Sequence, residues 1–325
     1  MLTSRLFQVV SAAAIAALLL SSTAIADEAA ATDGAQAAAA AAPEKGPPLP
    51  FITIEGVGGG AITPMAYLVN PAAEGEVFGK PSAAFDYIGL GSKNLDTILV
   101  TDNLYGRIEF GFAADRLGLG TLPGEIEADT GKNIGVSDVF LYNFNLRGLV
   151  VKENADDNEW IPAITIGADF KTNGGIRDIN TVLGGALNTI GYARQNGTDF
   201  TLTATKTLPT GFFGKPLIVT AGMRESQAAD LGFLGFADAY HTSFEGSVAI
   251  LPFDKWLFAY EIRQQSSPYN LALEPLIGVE NTWHAFDAAY IIDKHATLVA
   301  GVGIFGNLAN AGANSAWWLQ LKYEF

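Results

Sequence analysis

From residue 82 to residue 325 the chain changes character at every second position. Ile108, Phe110 and Phe112 alternate with Arg107 and Glu109. Phe140, Tyr142, Phe144 and Leu146 alternate with Asn143, Asn145 and Arg147, and Trp256, Phe258, Tyr260 and Ile262 with Glu261 and Arg263. Successive side chains of a strand point to opposite faces, so each stretch reads as a ribbon with one apolar and one polar face. A soluble β-sandwich also alternates, but it seldom turns so many charges toward one shared interior. The pattern therefore predicts an all-β fold, an antiparallel up-and-down transmembrane β-barrel with lipid on one face of every strand. Counting strands gives about twelve, within a range of roughly ten to fourteen.

The connections support the same architecture. Short turns are expected at Asp102-Asn103, Pro209 to Gly214, Phe253-Asp254 and Asp293-Lys294. Longer segments, Ala114 to Gly135, Lys171 to Gly197, Ser226 to Ala239 and Ser267 to Asn281, fall between them. Short periplasmic turns and long external loops alternate in this way in outer-membrane barrels. The acidic loop Ala155 to Glu159 falls on the short-turn side. One parity assignment puts Trp160, Trp256, Tyr323 and Phe325 at one lipid boundary and Phe140, Tyr142, Tyr240 and Trp317 at the other, as aromatic girdles.

The final strand alternates Trp317, Leu319, Leu321, Tyr323 and Phe325 with Trp318, Gln320, Lys322 and Glu324. It resembles the terminal strand of Gram-negative outer-membrane barrels. That resemblance implies that Tyr323 and Phe325 form an assembly signal read by the barrel-assembly machinery, with outer-membrane lipid and lipopolysaccharide as surroundings. The opposite end agrees. Arg5, an apolar core from Val9 to Leu20 and Ala24-Ile25-Ala26 form a secretory signal peptide over residues 1–26. Residues 27–50 read as an Ala/Pro-rich linker with little to bury. Residues 51–81 are Gly-rich and too broken by Gly and Pro for a regular strand. They read as a segment packed against or inside the barrel of residues 82–325, a candidate plug carried by Gly58, Gly59, Gly60, Pro64 and Tyr67.

Composition narrows the class. The chain is 49% apolar but only 16% charged, below the quarter typical of soluble domains. Beyond the leader no apolar run is long enough for a spanning helix. The absence of Cys excludes lipoprotein acylation, disulfides and thiolate metal sites. A net charge of -15 argues against nucleic acid as a partner.

Candidate chemistry is sparse. Gly56-Val57-Gly58-Gly59-Gly60-Ala61 has dinucleotide-fingerprint spacing, but Thr63-Pro64 interrupts the helix such a site requires, so no cofactor is expected. His241 and Ser243 share the interior parity without a third group to orient the imidazole, which argues against a hydrolase. Glu153, Asp156, Asp157 and Glu159 lack a calcium-loop pattern, and no metal site is expected. Function is therefore expected in the lumen. The interior parity collects Arg107, Glu109, Arg147, Asp169, Arg224, Glu245, Glu261, Arg263, Asp287, Lys322 and Glu324. In an aqueous bore these charges would bias passage of small solutes or ions, whereas in a narrow barrel they would pair and close it.

The Gly59-Gly60-Ala61-Ile62-Thr63-Pro64-Met65-Ala66-Tyr67-Leu68-Val69-Asn70-Pro71 stretch, followed by a barrel, resembles an uncharacterised family of proteobacterial outer-membrane proteins. The resemblance covers residues 51–325 and implies fold and compartment only. The expected function is a non-enzymatic, narrow and weakly selective channel. The alternatives are a closed structural or surface-interaction barrel and, third, a membrane-embedded hydrolase using Ser243.

Overall fold

The computed structural model describes residues 48–269, 280–308, 311–313 and 315–325. The proposed leader and most of the linker lie outside the described residues. Two short strands, β1 (Phe51–Ile52) and β2 (Gly58–Gly59), form a hairpin. The wall follows as β3 (Ser82–Leu90), β4 (Lys93–Leu104), β5 (Ile108–Gly118), β6 (Asp138–Val151), β7 (Ala163–Gly174) and β8 (Asn196–Phe212). It continues with β9 (Lys215–Ala228), β10 (Phe236–Phe253), β11 (Trp256–Arg263), β12 (Glu280–Ile291), β13 (Ala296–Leu308), the short β14 (Ala311–Ala313) and β15 (Ala316–Glu324). Every wall strand pairs antiparallel with its neighbours, and β15 returns to β3 through Leu321↔Phe85. With β14 set aside as a short annex to β13, the result is a closed cylinder of twelve strands.

The wall reverses the sorting of a soluble protein. Along β15, Lys322 is 0% exposed whereas Leu321 is 54% exposed. Phe144, Phe170, Phe244 and Phe286 also face outward. That is the arrangement that lets hydrocarbon solvate one face while closure satisfies every ladder hydrogen bond. No helix among the described residues is long and apolar enough to cross a membrane.

The two rims differ. At one, Phe213-Gly214 and Asp254-Lys255 join strands tightly. Phe213 and Gly214 have φ of 48 and 78, the left-handed pair of a two-residue hairpin. Asp293, in the turn after β12, accepts the amides of His295 and Ala296, and these hydrogen bonds hold its carboxyl below the ordinary range. The other rim carries the long connections. These contain α1 (Leu122–Thr130), α2 (Ile176–Val182) and α3 (Ala186–Ile190). The Gly91-Ser92 turn is short yet lies on this long-loop rim.

Several expected boundaries move. Asp102 and Asn103 belong to β4, and the turn falls at Tyr105 to Arg107, where Tyr105 and Gly106 adopt φ of 56 and 57. Pro209 lies within β8, where the ladder is irregular between Leu208 and Phe212 because proline has no amide to donate. Of the aromatic girdles, Trp160, Trp256, Tyr240 and Trp317 are exposed, whereas Phe140 is 4% exposed. Phe140 stacks on Tyr142 and sits opposite Arg116 of the neighbouring strand.

Candidate functional site: the filled lumen

Residues 50–70 lie inside the cylinder, and all but Tyr67 are buried. An irregular segment there must satisfy its backbone groups away from water. The wall supplies the partners. Glu109 accepts the amides of Gly58 and Val69 at 2.9 and 2.7 Å. Glu261 gathers the amides of Ala61 and Thr63 at 2.6 and 2.7 Å, together with the Thr63 hydroxyl. Arg147 donates to the carbonyls of Met65 and Tyr67 while paired to Glu109 at 2.7 Å. Gln320 donates to Ile52, Asn145 to Glu55, and Lys322 to Pro48 and Pro50.

At the centre a side chain of the segment joins the wall directly. Glu55, at the hairpin tip, lies 2.6 Å from Lys171 and 2.6 Å from Arg263, and 3.0 Å from Arg224. Each cation also has an anion on another wall strand. Lys171 meets Asp199 at 2.6 Å, Arg224 meets Asp169 at 3.0 Å, and Arg263 approaches Glu245 at 3.6 Å. Oxygens of Glu55, Asp169 and Asp199 come within 4.8 Å of one another. The ammonium of Lys171 and the guanidinium of Arg224 already supply positive charge there, so the group needs no metal.

Glycine makes the approach feasible. Gly56 turns the hairpin with φ of 86, and a Cβ on Gly60 would run into the Glu261 carboxylate. Pro64 bridges back to Gly59. Tyr67 donates to Glu153 at 2.8 Å near the short-turn rim, and burial raises its phenol above the ordinary value. The run from Gly56 to Ala61 is hairpin and loop, not the strand–helix unit of a dinucleotide site.

Ten of the eleven interior charges read from sequence are buried and inward: Glu109, Arg147, Asp169, Arg224, Glu245, Glu261, Arg263, Asp287, Lys322 and Glu324. Arg107 is the exception and does not face the lumen. The β4–β5 turn occupies its position, so it is exposed and donates to the Leu149 carbonyl at 3.1 Å. Asp287 accepts from the Trp318 indole at 3.0 Å, and Glu324 pairs with Lys322 at 2.6 Å. Periodicity missed Glu55, Lys171 and Asp199. The last two simply continue the alternation of β7 and β8 beyond the expected strand ends. Ser243 sits opposite Arg224, and no hydrogen bond joins it to His241 among the described residues. Tyr323 and Phe325 meet edge-on at 5.0 Å, and the Phe325 amide donates to Pro81.

Above and below this ionic belt part of the lumen wall turns apolar. Toward the long loops, Leu231 and Phe233 fold inward against Trp283, Phe305 and Trp318. The residual void there is about 20 Å³. Asn173 holds this loop down through the carbonyls of Gly232 and Phe233 at 2.7 and 2.8 Å. Toward the short turns a cavity of about 780 Å³ remains between the inner segment and the wall.

Residues 50–322 match the family described as "Protein of unknown function (DUF3034)", and the chain belongs to that family. No curated protein matches the sequence. Among solved structures the chain is similar to the KdgM porin, at 11% identity and a TM-score of 0.45, over 75% of this chain and 99% of that one. It is also similar to the outer membrane protein Omp33 of Acinetobacter baumannii, at 6% identity and a TM-score of 0.39, over 77% and 99%. A third is the COG4313 outer membrane channel of Pseudomonas putida F1, at 9% identity and a TM-score of 0.37, over 79% and 98%. Likeness at this level assigns no solute.

Proposed function

We propose that the protein is an outer-membrane channel held shut by its own inner segment, residues 48–71, with the short-turn rim facing the periplasm. One observation carries this reading: between flanking apolar contacts of Phe51, Ile52, Ile62 and Val69, the centre of the interface between segment and wall is ionic, and the wall cations keep wall anions of their own. Lys171, Arg224 and Arg263 would still face Asp199, Asp169 and Glu245 if Glu55 withdrew. Withdrawal would thus leave a hydrated bore lined by charges of both signs, the lining of a weakly selective pore. A purely structural filler needs no such lining, because well-packed apolar residues stabilise an interior at least as well as buried ion pairs. On the same reading Tyr323 and Phe325 serve assembly, and lipid surrounds the outward aromatics.

Single-channel recording in planar bilayers tests the proposal. The wild type should show rare openings. Glu55→Gln, which keeps shape but removes the charge that three cations share, should raise the open fraction by about tenfold, corresponding to roughly 1.4 kcal/mol. Silence of both proteins across several salts, with the barrel shown to be folded, would favour the closed surface-interaction barrel instead.

A further inference from the structure

The inward positions of the wall change chemistry along the barrel axis. On β11 the sequence toward the short-turn rim is Arg263, Glu261, Ala259, Leu257, and on β9 it runs from Arg224 to Thr220 and then Ile218. Ala163 on β7 and Leu149 on β6 follow the same switch from polar to apolar. The inner segment does not cover this wall evenly. Ile52 and Val69 pack on Ala84, Leu99 and Ala113 of β3–β5, and Phe51 packs on Ala249, Leu257 and Ala289 of β10–β12, while few apolar contacts reach β6–β9 at this level. The cavity of about 780 Å³ is what remains between the segment and Leu149, Ala163, Ile218, Leu257 and Ala259 of the wall. Small side chains such as Ala163 and Ala259 keep it wide, and Phe51, Met65 and Leu68 form its inner side.

We propose that this cavity is a binding site for an apolar small molecule with an uncharged or cationic head, entered from the short-turn rim. The volume lies within the roughly 300–1,000 Å³ of small-molecule pockets, and an apolar lining with a few polar groups at the mouth is how such sites are built. The mouth selects by charge. Glu153 is already paired with Lys206 at 3.3 Å, which leaves Glu74 and Glu76 against Lys152. This surplus of negative charge disfavours a carboxylate amphiphile. The site exists with the inner segment in place, so it does not depend on that segment ever moving.

The chain contains three methionines, which makes the test specific. Met65 lines the cavity, whereas Met223, opposite Leu202 and Phe244, points to lipid. The full barrel, carrying ¹³C-methyl methionine in lipid nanodiscs at low salt, is titrated with decanol, decyltrimethylammonium or decanoate. The expected result is a saturable shift of the Met65 methyl with the first two probes and about tenfold weaker binding of decanoate, with the difference fading in high salt. Met223 should drift only in proportion to probe dissolved in lipid. Ala259→Trp, or the milder Leu257→Phe, should abolish or weaken the saturable response while leaving Met223 unchanged. A Met65 response that is linear and parallels Met223, or one untouched in both filled variants, overturns the site. Equal binding of decanoate overturns the charge selection.

Discussion

Both ends of the lumen carry stretches of apolar wall, yet one is filled and the other is not. Toward the long loops the wall offers Trp283, Phe305 and Trp318, and a loop inserts Leu231 and Phe233 among them, leaving about 20 Å³. Toward the short turns the wall offers mainly alanines, leucine and isoleucine, and about 780 Å³ stays open. Interiors normally pack close to crystal density. The difference thus lies in side-chain size and in what the chain inserts at each end. One end is built as a core and the other as a receptacle.

Truncations on the two sides should separate these roles. Phe233→Ala empties a packed site and should cost about 3–5 kcal/mol, read as a fall in the urea midpoint in lipid vesicles. Leu257 packs on Phe51 on one side but borders the open space on the other, so the cost of Leu257→Ala should stay near the lower bound of about 2 kcal/mol. A cost equal to that of Phe233→Ala would mean that the short-turn end is packed after all. Thr205→Val should have the smallest effect, about 1 kcal/mol. It removes the hydroxyl that accepts the Ala66 amide at 2.8 Å, a tether of the segment beside the cavity. Faster amide exchange at Ala66, with the barrel otherwise intact, would report its loss.

The cylinder was legible because lipid imposes the same two-residue period on every wall strand. A local rule repeated around the barrel survives errors at single turns. Arg107 shows where the rule fails: the interior parity was right for a strand, but the chain turned there. The ionic belt was half legible for a different reason. Arg224, Arg263 and Asp169 sit in alternating strands, whereas Glu55 sits in a segment without periodicity. Its partners lie 116, 169 and 208 residues away. Nothing local in Phe51 to Gly56 announces that three cations converge on one carboxylate. The cavity left no sequence signal beyond a run of small inward residues, because an empty volume depends on the path the inner segment takes.

The grip of β15 on the inner segment bears on how the molecule is put together. Lys322 and Gln320 reach carbonyls of Pro48, Pro50 and Ile52, across separations of 274, 272 and 268 residues. The same strand zips the cylinder shut against β3. These bonds cannot form until nearly the whole wall has been delivered, so the earliest part of the folded chain must wait for one of the latest to secure it. Contacts of such long span are slow to form. Stoppering and closure are therefore coupled events late in maturation, and a barrel caught before them would be briefly unstoppered.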